Sequence, residues 1–228
     1  MSQEQLDDFD KFAHDYKAIL DKSLKFGGEK GEYFSSYKAR YISRYIGKDF
    51  SGKILDHGCG IGLLSGILSE YFPRSTIDGF DVSQASIAHV PGRLKEQGRF
   101  TSNEDELSRE YDLIVMANVL HHIEAVDRGK EIAKLKRLLK DKGRIVIFEH
   151  NPYNPLTRKI VRDSPLDKGV VLLPSPETLQ YCKDAAFKGI KLDYIVFFPK
   201  ALSVLRWAEP YLSWLPFGAQ YAVTGQVL

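Results

Sequence analysis

Four short apolar runs, Lys53 to Asp56, Thr76 to Asp81, Asp112 to Ala117 and Arg144 to Glu149, alternate with stretches whose apolar residues recur every three or four positions. The first kind reads as buried strands and the second as amphipathic helices. The helices expected between them run roughly from Leu63 to Phe72, Gln84 to Lys95 and Gly129 to Leu139, the last stopped by Asp141-Lys142-Gly143. Strict alternation of this kind predicts an α/β fold, a doubly wound, mostly parallel sheet with helices on both faces.

Residues 1 to 48 precede this core. Phe9, Phe12, Ala13, Tyr16, Ile19 and Leu20 keep a helical spacing, Gly27-Gly28 interrupts it, and Glu32 to Ile46 resumes it with Tyr33, Phe34, Tyr37, Tyr41 and Tyr45. After residue 150 the rhythm changes. Two prolines in His150-Asn151-Pro152-Tyr153-Asn154-Pro155 rule out a regular helix there. Ser175-Pro176-Glu177 reads as an N-cap followed by proline at the first helical position, opening a helix to Phe187 that Gly189 ends. Two terminal strands follow, Lys191 to Phe198 and Gln220 to Val227, separated by an apolar insert at 200–217 that carries Trp207 and Trp214. The insert is expected to pack over the sheet edge or form a dimer contact, with a lid over a lipophilic substrate or a peripheral membrane contact as the functional alternative.

Composition changes this picture little. A chain of 228 residues with 43% hydrophobic and 27% charged residues buries a substantial core and is read as one domain, with a helical cap at 1–48, a core at 49–150 and a substrate-side segment at 151–228. The net charge of +2 gives no broad field for nucleic acid, and the Arg158, Lys159, Arg162 cluster reads as a solvated helix face. Two cysteines imply neither a disulfide framework nor a zinc site, and no metal-ligand set is expected. No apolar run reaches about twenty residues and no secretory leader is apparent, so the expectation is a cytoplasmic monomer or homodimer.

Candidate chemistry concentrates after the first strand. Asp56-His57-Gly58-Cys59-Gly60-Ile61-Gly62 removes Cβ atoms where the chain turns sharply, ahead of a helix whose free N–H groups favour an anionic ligand group. An acid, Asp81, stands at the end of the next strand, followed by Val82. Strand, glycine turn, helix, strand and acid together form the arrangement that holds a nucleoside through its ribose diol. A dinucleotide fingerprint would place its third glycine at 63, where this chain has leucine.

The turn resembles motif I of the class I S-adenosylmethionine-dependent methyltransferases, (D/E)-x-G-x-G-x-G. Tyr111-Asp112-Leu113-Ile114 through Asn118-Val119-Leu120-His121-His122-Ile123 likewise resembles the family segment beside the transferred methyl. The resemblance covers residues 53 to 150 and implies S-adenosylmethionine as cofactor and a seven-stranded Rossmann-like sheet ending in an antiparallel strand. By the same resemblance Asp56 holds the methionine ammonium, Gly58, Cys59, Gly60 and Gly62 form the floor, Asp81 takes both ribose hydroxyls, and Asn118 lies near the cofactor. One of Asn103, Glu104 or Asp105 meets the adenine; Tyr16 and Lys38 reach over the site as a lid.

In-line methyl transfer depends mainly on holding nucleophile and methyl at near-attack distance, and a base is needed only where the acceptor keeps its proton. His122, His150 and Glu149 lie just after predicted strands, where open α/β sheets place ligands, and are the candidate catalytic groups, with His121 a weaker one. Asn151 and Asn154 either make turns or orient a polar acceptor. The expected reaction is methyl transfer to a small-molecule or glycan- or lipid-linked acceptor. The alternatives are an NAD(P)-dependent reductase on a similar fold and a cofactor-binding module without chemistry.

Overall fold

The computed structural model describes residues 10–24 and 28–228; Phe9 and Gly27 lie outside this range. Strands β1 (Lys53–His57), β2 (Thr76–Phe80), β3 (Phe100–Thr101), β4 (Tyr111–Ala117), β5 (Leu139–His150), β6 (Lys188–Ile195) and β7 (Gln220–Gln226) form one sheet in the order β3-β2-β1-β4-β5-β7-β6. The first five are parallel, and β7 runs antiparallel to both its neighbours. Strand alternation sorts the core onto two faces. Ile54, Leu113, Val115, Val146 and Phe148 pack with Ala39, Ile42, Leu64, Leu68 and Phe72. Leu55, Ile114, Met116, Ile145 and Ile147 pack on the other side with Ile132, Leu135, Cys182 and Phe187.

Several expected boundaries move, each for a local reason. Pro91 breaks the long helix expected from Gln84 into Gln84–Ala88 and Gly92–Gln97, because it has no N–H to continue the ladder. Asp141-Lys142-Gly143 does not stop the helix but lies inside β5. The helix Ala125–Leu138 passes directly into β5, and Lys142 bends that strand at φ 61°. Proline at 155 opens a helix, Pro155–Asp163, in place of forbidding one, since at the first position the missing N–H has no partner to lose. Asn154 caps it by accepting from Thr157 N at 3.0 Å. Ser175 is no cap. It is the first residue of Ser175–Asp184, and its Oγ bonds the Tyr194 hydroxyl at 2.7 Å.

Of the two N-terminal helices, Gly31–Ile46 packs on the sheet through Ala39 and Ile42 and is tied to β6 by Tyr41 Oη donating to Asp193 at 2.7 Å, while Tyr16–Leu24 packs against that helix and against Pro155–Asp163. The insert is a kinked run of helical turns, Lys200–Tyr211, anchored from beneath. Glu209 is buried and accepts from the N–H groups of Phe197 and Phe198, while Arg206 stacks on Tyr33 and bonds Glu29 at 2.6 Å. Its outer side chains, Val204, Trp207, Tyr211, Trp214 and Phe217, stay exposed. Among the described residues no helix is long and apolar enough to cross a membrane.

Asp78 of β2 is a buried junction. It accepts from Tyr111 Oη at 2.9 Å and Arg99 N at 3.0 Å and pairs with Lys53 Nζ at 3.1 Å. Asp78→Ala would leave the buried Tyr111 hydroxyl and the part-buried Arg99 N–H without this acceptor, a loss of about 2 kcal/mol. Urea unfolding should show it as a lower midpoint at unchanged slope, and an unchanged midpoint would mean these bonds contribute nothing net.

Candidate active site

The strand order reverses between β1 and β4, and a cavity of about 470 Å³ opens there at the strands' carboxyl ends. One wall is the glycine turn. Gly58, Gly60 and Gly62 have φ of 78°, 53° and 82°, a region side chains rarely adopt. A Cβ on Gly58 would lie 2.2 Å from Val119, whereas one on Gly60 would meet only open space. The Gly58 and Cys59 N–H groups donate to Phe80 O at 2.7 and 2.9 Å, fixing the turn to the end of β2. Asp81 then accepts from Gly60 N at 2.8 Å and Ser83 N at 2.9 Å.

Asp56 and Asp81 both line the cavity. Burial pushes the Asp56 carboxyl up to about 6, against the Ser65 hydroxyl that donates to it at 2.6 Å, and the Asp81 charge adds to the rise. Burial raises Asp81 as well, offset by its two backbone donors. Lys38, buried in the facing helix, is driven down to about 8 by desolvation although Glu149 and Asp56 pull it up. Two carboxylates against one weakened ammonium make a pocket suited to a cation. The buried Asn118 Oδ1 has no hydrogen-bond partner among the described residues and lies on the same wall, at a residue held at φ 60°. An unfilled acceptor, a glycine floor without Cβ atoms and two carboxylates fit a nucleoside bearing cationic groups.

The other end of the cavity holds histidines. Glu149, at the end of β5, has no exposure, so it lies behind the wall and its expected direct role is corrected to one of positioning. Its Oε1 accepts from Val119 N at 3.0 Å and Leu120 N at 2.8 Å, and its Oε2 meets His121 Nδ1 at 2.6 Å. His121 Nε2 lies 3.3 Å from Asp167 Oδ1, and His122 Nε2 lies 3.7 Å from the same atom. Burial alone would push His121 down, but the Glu149 charge and the Asp167 hydrogen bond raise it to about 9. Burial, with the His121 charge, lowers His122 to about 3 and His150 to about 4, so both are neutral at pH 7. Burial followed by the Asp167 and Asp81 charges raises the Tyr16 hydroxyl, keeping it a donor.

Of the expected site residues, Tyr16, Asp56, Gly58, Cys59, Gly60, Asp81, Val82, Asn118, His122 and His150 line this cavity, with Lys38. Gly62 does not. It is the left-handed residue that begins Leu63–Tyr71. Asn103 does not either, because its side chain caps the turn Glu104–Glu106 by accepting from Asp105 N, and Glu104 faces the cavity in its place. Asn151 is structural, donating to Pro216 O and Gly218 O at 3.0 and 2.7 Å. No residue of the 200–217 insert lines the wall; Phe197, Phe198 and Pro199 come just before it. Sequence reasoning did not single out Asp167, which the structure places against His121 and His122. Proline before a Leu-Asp pair was the only local sign of an ordered turn at Asp167.

Sheet order and pocket together define a class, a Rossmann-like α/β protein that takes a nucleoside cofactor at its switch point. Residues 22–192 match the family model for the methyltransferase domain. The chain belongs to that family, the S-adenosylmethionine-dependent methyltransferases of class I. It is 27% identical over 152 residues to the malonyl-[acyl-carrier protein] O-methyltransferase of Acetivibrio thermocellus, matching 60% of this chain and 52% of that protein. It is 28% identical over 149 residues to the demethylmenaquinone methyltransferase of Thermotoga maritima, matching 64% and 61%. The matched region thus spans little more than half the length of these relatives. A SAM-dependent methyltransferase structure from Thermotoga maritima superposes with a TM-score of 0.68 at 17% identity, covering 97% of this chain and 99% of that one.

The two glycines make a test of the turn. Gly58→Ala combines a strained φ with a clash and should cost about 2 kcal/mol or more, whereas Gly60→Ala carries the φ cost alone, about 1 kcal/mol. Thermal unfolding of both variants would show the order, and equal losses would mean that Val119 yields freely.

Proposed function

We propose that the chain transfers the methyl group of S-adenosylmethionine to a nucleophilic heteroatom of a small or glycan- or lipid-linked acceptor. The observation that carries this reading is a single cavity with the Asp56–Asp81 pair at one end and His122, His150 and Asp167 at the other. When bound, the cofactor supplies a sulfonium methyl whose bonding pair leaves to sulfur. The chain's own part is to grip and to orient. Asp56 takes the ammonium, Asp81 the ribose hydroxyls, Asn118 Oδ1 a further donor, and Gly58 and Gly60 give the ligand bare peptide to lie on. Glu104, at the cavity wall and paired with Lys134 Nζ at 2.7 Å, would be an acceptor for an adenine amino group.

The acceptor enters beside His122 and His150, whose neutral imidazoles can take hydrogen bonds from a protonated nucleophile. Leu156, Ile160, Leu166, Phe197 and Phe198 line the rest of that side and suit an apolar body behind the reacting group. Tyr16 and Lys38 cover the site from the N-terminal helices, so cap, core and the 151–228 segment act as one unit. The exposed Trp207 and Trp214 favour the lipid-linked branch of this reading, with the insert as the surface that meets an apolar carrier.

Calorimetry with S-adenosylhomocysteine tests the cofactor half. Asp81→Asn should weaken binding by about 1–3 kcal/mol, since two hydroxyls lose a charged acceptor. No heat from the unaltered protein would overturn the whole reading, and an unchanged affinity in the variant would reassign the acid.

The pH dependence follows from Asp56, which must be ionised to hold an ammonium. Below about 6 the free protein carries it protonated. The sign is therefore a loss of affinity as pH falls, about tenfold per unit below that value until the bound-state pKa is reached. A flat profile between pH 7.5 and 5 would place the ammonium elsewhere.

A further inference from the structure

The cluster at the ends of β4 and β5 gathers more ligand-type atoms than positioning an acceptor requires. His121, His150 and Asp167 each offer one donor atom, and the three atoms lie within 4.8 Å of one another. Two imidazoles and one carboxylate suit first-row divalent cations, and a three-ligand set leaves a position open for water or substrate oxygen. Glu149 is a second and independent observation. Fully buried, it holds His121 through Nδ1 at 2.6 Å and so presents Nε2 to Asp167, where the ion would take the place of the proton that His121 holds in the free protein and release it to solvent. A carboxylate behind a ligating imidazole is how metal-bound histidines are fixed in tautomer and orientation. His150 and Asp167 line the cavity while His121 sits behind them, so the open side of the set faces the acceptor.

We infer that His121, His150 and Asp167 form a binding site for one first-row divalent cation, of the zinc, manganese or iron(II) kind, whose open position takes a hydroxyl oxygen of the acceptor. The acceptor part rests on the methyl-transfer reading; the ion part rests on the donor set alone. It replaces the sequence-based expectation of no metal-ligand set, which lacked Asp167. Coordination lowers the hydroxyl's pKa, and its proton leaves to solvent. The oxygen then uses a lone pair to form the new C–O bond as the S–CH₃ bond breaks and its pair passes to sulfur, so no oxidant or reductant is needed. Glu149 is a positioning residue in this scheme, and His122 lies beside the ion without being required as a ligand.

The test uses the full-length protein, stripped with chelator and titrated with Co²⁺, Zn²⁺, Mn²⁺ and, without oxygen, Fe²⁺, with S-adenosylhomocysteine binding measured in parallel. One ion per chain is expected, with a visible Co²⁺ absorption that saturates at that ratio. Glu149→Gln should weaken the ion roughly 10–100-fold, and Asp167→Asn and His150→Gln at least as much. Retained S-adenosylhomocysteine affinity shows that a variant has folded, and Asp167→Asn, at the cavity wall, serves where a buried change at Glu149 prevents folding. Absence of binding by all four ions, or equal binding by folded variants, would overturn the site even if S-adenosylhomocysteine binds. Ion binding without S-adenosylhomocysteine binding would count against the methyl-transfer reading alone.

Discussion

A carboxylate taken wholly out of water must have its charge and lone pairs answered, at a cost of several kcal/mol where they are not. Glu149 is such a group, and the rim of the sheet is built around answering it. The two backbone donors come from Val119 and Leu120 and the third contact from His121, so the chain leaving β4 is held against the end of β5. Asn118 N donates to Phe148 O at 2.8 Å one step earlier and closes the same seam. With the turn Leu120–His122 held there, His121 faces Asp167, His122 reaches the cavity, and His150, the last residue of β5, lines it as well.

The parallel strands and the glycine turn were legible because their causes are local. A buried parallel strand reads as a continuous apolar run, and Asp-x-Gly-x-Gly-x-Gly reports a backbone that no side chain would tolerate. Boundaries were lost where one residue acts against its neighbours. Pro91 ends a helical pattern that continues past it, and Pro155 begins a helix in a segment that looks proline-broken. Position relative to the cavity was harder still. Glu149 and His150 are adjacent in sequence, yet alternation along β5 buries the first and turns the second to the wall. Asp167 meets His121 across 46 residues of chain, a contact made only by the route of Pro155–Asp163 and the turn after it. Asn103 and Glu104 illustrate the same limit at the scale of one residue, since capping consumes the asparagine's acceptor and leaves its neighbour to face the cavity.

Electrostatics connects the two ends of the pocket. Asp56, Asp81, Glu149 and Asp167 surround it, and among the described lining residues Lys38 is the buried ammonium that opposes them. In a medium of low effective dielectric such an excess is unstable unless a cation shares it. His121 answers part of it, bridging Glu149 and Asp167 as a raised base. Near the glycine turn Asp56 and Asp81 are held by hydrogen-bond donors and not by a bridging imidazole, and burial, with the Asp81 charge, raises Asp56 to about 6. A ligand bearing both an ammonium and a sulfonium offsets the two acids, whereas the same ligand without its methyl keeps only the ammonium. The same field attracts the methylated form more strongly than the demethylated one, so under the proposed reading the carboxylates that would hold the cofactor would also favour exchange of product for fresh reactant.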